Sequence, residues 1–109
     1  MNTPKPLWLR RADIAETPVE DDIFLVVPET EAIFHLNAVG TALWHLLAEP
    51  HVRDDLVTLL SAAFPDVPST IIAADVDAFL SNLYLGGLIA DQNAGTPGQG
   101  LNAPLNRRP

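Results

Sequence analysis

The chain has 109 residues and a net charge of -8, with 48% hydrophobic and only 6% aromatic residues. That suits a single domain with one modest, mainly aliphatic core. It contains no cysteine, so disulfide frames and thiolate chemistry are excluded. The start, MNTPKPLWLRR, lacks the apolar core and small-residue cleavage site of a secretory signal. No run of about 18 apolar residues offers a membrane span. A cytoplasmic protein is the expectation. Between Ala12 and Ala90 there are thirteen acids and one base, Arg53; the other bases are Lys5, Arg10, Arg11, Arg107 and Arg108. Such a middle repels phosphates and disfavours nucleic acid as a partner. A basic or apolar peptide is electrostatically easier.

In chain order, residues 1–6 are polar, carry two prolines and read as a flexible N-terminus. Leu7 to Arg11 alternates weakly and reads as a short strand. The stretch ETPVEDD, residues 16–22, reads as a loop or turn. IFLVV, residues 23–27, is β-branched and aromatic and reads as a strand. Pro28 suits the first corner of a turn through PETE, and Ala32 to Leu36 becomes the returning arm of a hairpin.

Asn37 can cap a helix with its side-chain oxygen. Leu36, Val39, Leu43, Leu46 and Leu47 then form one helical stripe, and Pro50 ends it. A second helix, about Val52 to Ala63, presents Val52, Leu56, Leu59, Leu60 and Ala63, with Asp54 and Asp55 at its favourable N-terminal end. A third starts near Pro68. It presents Ile72, Val76, Phe79, Leu80 and Leu83 and ends at Gly86-Gly87. Leu88 and Ile89 return to the core. Residues 91–109 are rich in Gly, Asn, Pro and Gln and are expected to be a disordered tail. The inventory is α+β: a small sheet, then three helices, as in a winged helix-turn-helix. The domain spans residues 7–90.

Chemistry is sparse. His35, His45 and His51 lack ligand spacing, so no metal site is expected. The acidic pairs match no calcium loop, and Asp75 and Asp77 point to different faces of one helix. No serine sits in a nucleophile elbow. Neither a cofactor nor a catalytic residue can be assigned, so an enzyme is not the expectation. Trp44 lies beside the helical stripe and suits either the core or a partner surface. The strand at residues 31–36 has a sheet edge to offer, and an edge is a template for another chain.

The order DIFLVV, EAIFHLNAVGTALWHLLAEP, LVTLLSAAFP and AADVDAFLSNLYLGGLI resembles the PqqD family, named for coenzyme PQQ synthesis protein D. The marks are Leu36-Asn37, Gly40 and Trp44, then Leu56, Leu59, Leu60 and Phe64, then Asp75-Val76, Phe79-Leu80, Leu83 and Gly87-Leu88. The resemblance implies a three-stranded antiparallel sheet packed on three helices. It also implies a peptide chaperone, or RiPP recognition element, that holds the leader of a ribosomally made precursor peptide as an added strand. The resemblance further implies a modifying enzyme that acts on the held peptide, a radical SAM enzyme where the pathway is that of PQQ and another enzyme where it is that of a lasso-type or other modified peptide. By position, the strand to be paired is Glu31, Ala32, Ile33, Phe34, His35 and Leu36. The third helix would line the groove with some of Ile72, Asp75, Val76 and Phe79. Phe34 and Leu36 are expected to face the core, with Ile33 and His35 turned away. Proline at Ile33 or His35 should weaken capture, one of the two far more than the other. The alternatives are a DNA-binding winged helix, which lacks basic residues on its third helix, or a dimerisation module. The protein is expected to be a monomer or a homodimer.

Overall fold

Residues 5–93 are described by a computed structural model of the chain. Six strands and three helices follow in order: β1 (Leu7–Arg10), β2 (Ala15–Val19), β3 (Asp22–Val26), β4 (Ile33–Leu36), α1 (Ala38–Leu46), β5 (His51–Val52), α2 (Arg53–Ala63), α3 (Ser69–Leu85) and β6 (Ile89–Asp91). The three helices stand where the periodicity places them. The strands depart from expectation, because they form two sheets of three, ordered β2-β3-β4 and β5-β1-β6, all pairs antiparallel.

ETPVEDD is not a loop. Its first residues belong to β2, which pairs along its whole length with β3, from Ala15 opposite Val26 to Val19 opposite Asp22. All five β2 residues are exposed, so no apolar alternation marks the strand in the sequence. Its partner carries the burial: Ile23 and Leu25 point into the core. Glu20 takes a positive φ of 57° in the two-residue turn between them, an arrangement suited to tight hairpins. The short second sheet is a correction of the same kind. β1 pairs with β5 and β6 rather than with the hairpin, and the Leu7 N–H also donates to Asp91 Oδ1 at 2.9 Å. Asp91 to Asn93 are therefore built into the domain. The rest of the expected tail, residues 94–109, lies outside the described residues, as do residues 1–4 of the expected N-terminal arm.

The core joins both sheets to all three helices. Ile23, Leu25 and Leu36 meet Leu43, Trp44 and Leu47 of the first helix and its C-cap, Leu56 and Leu60 of α2, and Ile72, Val76 and Leu83 of α3. Trp44 is wholly buried, which settles its role as core. Its indole Nε1 donates to Glu16 Oε2 at 2.8 Å, and the Arg10 guanidinium lies 5.3 Å from its ring centroid. The second helix buries a narrower face than its leucines suggest: Leu59 is 43% exposed, and Ala63 is exposed as well.

Strand β4 runs into α1 with Asn37 alone between them. Asn37 Oδ1 accepts from the Gly40 N–H at 3.0 Å, and Thr41 Oγ1 donates to the Leu36 carbonyl at 3.2 Å. The strand is thus anchored at its end by a capped helix. At Gly40, α1 and α3 come together: a Cβ there would lie 2.8 Å from Phe79 Cζ and 3.1 Å from Leu36 Cβ. Gly40→Ala must push one of these aside. It is expected to cost about 1–3 kcal/mol, read as a lower melting temperature by circular dichroism. An unchanged melt would mean that the helices have slack at this crossing.

Candidate functional site

The β2-β3-β4 sheet has two outer edges with different chemistry. The two-residue turn makes Val19 and Asp22 a hydrogen-bonded pair, and such pairs alternate along an antiparallel ladder. Pro18, opposite Ile23, then falls where an N–H would point outward. A proline there removes that donor and blunts the β2 edge.

The β4 edge carries no such guard. At the other hairpin the Val27 N–H donates to the Ala32 carbonyl at 3.0 Å. With Phe34 opposite Leu25 and Leu36 opposite Ile23, alternation turns the Phe34 and Leu36 backbone groups toward β3. The backbone N–H and C=O groups of Ile33 and His35 turn outward together. The expectation that one of these two positions dominates is therefore corrected: residues two apart on a strand share one direction.

The expected strand is also shorter than drawn. Glu31 has a positive φ of 60° and closes the turn, where its N–H donates to the Val27 carbonyl at 2.7 Å and the Ala32 N–H donates to Thr30 Oγ1 at 3.2 Å. Neither Glu31 nor Ala32 lies in the β4 strand. Ile33 is 67% exposed. His35 is exposed too, stacked on Phe24 with its Nε2 2.7 Å from Asp22 Oδ2. Both side chains lie on the outer face, as expected.

On the inner face, β4 comes against the C-terminal end of α3. Phe34 is half-buried and rests over Gly86, where any Cβ would run into its ring. Phe79 is also half-buried and fills the space left by Gly40. Two glycines therefore make room for two half-buried phenyl rings, Phe34 on β4 and Phe79 on α3, and no described strand pairs with the outer edge of β4. Asp75, half-buried, lies one helical turn from Phe79 on the same face of α3. Ile72 and Val76, expected to line a peptide groove, are wholly buried in the core. From the sequence, Gly40 reads as a mark of the resemblance and Gly86 as a helix end, which misses that each clears space for a phenyl ring. Their signal is there in Gly40, because glycine inside a helix is costly unless something must approach closely.

A separate pocket of about 320 Å³ opens on the opposite side of α3, lined by Pro6, Trp8, Leu80 and Tyr84 with the Arg53–Asp77 ion pair at its rim. Among the described residues no group of three or more His, Cys, Asp or Glu side chains could hold a metal ion. None of the described helices is long and apolar enough to cross a membrane. α3 bears no lysine or arginine, so it presents nothing that a recognition helix needs to meet phosphates.

A family model described as Coenzyme PQQ synthesis protein D (PqqD) matches residues 22–89, from the start of β3 into β6. The chain belongs to the PqqD family. Within the PqqD match fall the open edge, both phenyl rings and all three helices. The solved structure of TbiB1 in complex with the TbiA(beta) leader peptide is similar to this PqqD-family chain, with a TM-score of 0.62 and 25% identity. The similarity covers 74% of this chain and 93% of that one. No curated protein matches.

Proposed function

We propose that this PqqD-family chain is a peptide chaperone. It takes the leader of a ribosomally made precursor peptide as an extra strand on β4, against α3, and presents the precursor to a separate modifying enzyme in the cytoplasm. The observation that carries the reading is the unguarded β4 edge, with the half-buried rings of Phe34 on β4 and Phe79 on α3 on its inner side. A peptide strand there gains main-chain bonds from Ile33 and His35 and places alternate side chains over the two rings. The leader peptide bound to TbiB1 supports the same use of a similar fold. The chain does no chemistry on the peptide in this reading; catalysis belongs to the partner, a radical SAM enzyme if the pathway is that of PQQ.

A backbone amide NMR titration with leader peptides encoded beside the gene tests this. Shifts concentrated at Ile33 to Leu36 and Asp75 to Phe79 are the expected result. Self-association at rising concentration, with no response to any leader, would assign the edge to dimerisation instead. Asp75→Asn should weaken binding only slightly, and only for a leader with a basic residue at that end. The effect should fade with added salt, because the charge is partly in water. An identical loss with a leader lacking basic residues would remove Asp75 from ionic recognition.

A further inference from the structure

Besides the packing of Phe34 on Gly86, one side chain that belongs to neither element links the end of α3 to the turn before β4. Arg11, just after β1, sends Nη1 to the Gly87 carbonyl at 3.2 Å, beyond the last turn of α3. Its Nη2 reaches Glu29 Oε2 at 2.7 Å, in the turn that leads into β4. The remaining donors grip Asp13, Nε to Oδ1 at 3.0 Å and Nη2 to Oδ2 at 2.6 Å. The Arg11 backbone N–H donates to the Leu88 carbonyl at 2.9 Å, which fixes the residue against the end of α3. The Glu29 and Asp13 carboxyls are held below the usual carboxylate range by their hydrogen bonds to this guanidinium.

We propose that Arg11 is the clamp that sets the width of the β4–α3 groove, and through it the affinity for the leader strand; the second half rests on the function proposed above. The geometry requires arginine. Only a planar fork donates at once to a carbonyl on one wall, a carboxylate on the other and a carboxylate behind. A lysine ammonium, being a point charge, cannot span them. Without the clamp, the β3–β4 turn keeps its own hydrogen bonds and Phe34 its packing on Gly86, but the turn loses its polar tie to α3. The groove then samples widths at which a strand cannot pair and also cover both rings. Affinity falls by the fraction of time the groove is competent.

A second arginine supplies the control. Arg53 also grips two carboxylates, Asp77 with Nε at 2.9 Å and Asp54 with Nη1 at 3.2 Å, but it sits at the pocket on the far side of α3. Its side chain is 39% exposed against 28% for Arg11. If such clusters only stabilise the fold, Arg11→Met and Arg53→Met should have equal effects on binding.

The experiment has two arms. The chain has no cysteine, so nitroxides can be placed through Pro28→Cys in the turn and Leu85→Cys on α3, both exposed. Their distance distribution is measured by pulsed electron spin resonance in the full chain without peptide. In parallel, calorimetry follows binding of the leader identified by titration. Arg11→Met is expected to broaden the distance distribution and to weaken binding about tenfold, as a tenfold smaller competent fraction requires. Arg53→Met should do neither. An unchanged distribution in Arg11→Met overturns the clamp, as does an equal loss of affinity in both variants. If no leader binds the parent chain, the proposed function fails, while the nitroxide arm still decides whether Arg11 holds the walls together.

Discussion

Ile33→Pro is expected to abolish leader capture while the domain stays folded. The Ile33 N–H points away from β3, so the proline removes a donor that the free protein does not use. An edge position tolerates the ring. An incoming strand loses one ladder bond, a net of about 0.5–1.5 kcal/mol, and also meets the ring where its own backbone should lie. The combined effect is a loss of at least about tenfold, one decade for each 1.4 kcal/mol. His35→Pro should behave in the same way, since its N–H shares that direction. Phe34→Pro is the contrast: its N–H faces β3, so the hairpin itself should be damaged. Calorimetric titration paired with thermal melts checks all three. Parent-like binding by folded Ile33→Pro and His35→Pro would rule out strand addition at this edge.

The second large effect is on stability. Trp44 is fully buried where α1 meets the hairpin and β1, and Trp44→Ala should cost about 3–5 kcal/mol through the cavity it leaves. A domain of this size holds only on the order of 5–15 kcal/mol in total. The variant should therefore melt at far lower temperature, or be partly unfolded at 25 °C. Removing the indole also strips Glu16 of the Nε1 donor at 2.8 Å, although that carboxylate is exposed enough to be rehydrated. Trp44→Phe should fall between the two. A Trp44→Ala melt within a degree or two of the parent would mean that the first helix is not locked by this ring.

What the sequence made legible follows from how local each signal is. The three helices and the β3–β4 hairpin announce themselves through apolar residues that repeat at the period of their own element. Asn37 announces the start of α1 because capping is a contact with a neighbour three residues on. β2 gives no sign, since every one of its residues is exposed and its existence depends on β3 alongside. β1 shows in the weak alternation of Leu7 to Arg11, but its partners do not, since β5 and β6 are two and three residues long and lie 40 or more positions away. The site divides in the same manner. The pairing strand and the Phe79 turn of α3 are readable. The burial of Ile72 and Val76 is readable too, from their place in the apolar stripe, but which residues of that stripe remain open to a partner is not, because a helix packed on two sides carries a wide apolar arc. Arg11 looks like a stray terminal base until the fold brings Glu29 and Gly87 to it.

Pro18 has a consequence for how this sheet can grow. With its β2 border closed to further pairing, the sheet extends in one direction only. Any strand that joins β4 brings its own far border with it. A leader therefore adds on the β4 side and not on the β2 side. If two domains met through β4 instead, both outward borders of the joined sheet would be β2, each with its proline, and growth would end at the pair. Neither arrangement propagates through this sheet, because a filament needs a head and a tail that both accept a neighbour. A proline one sheet-width from the binding edge thus leaves the sheet a single growing side and lets the molecule keep an adhesive strand exposed without that sheet becoming the seed of a fibre.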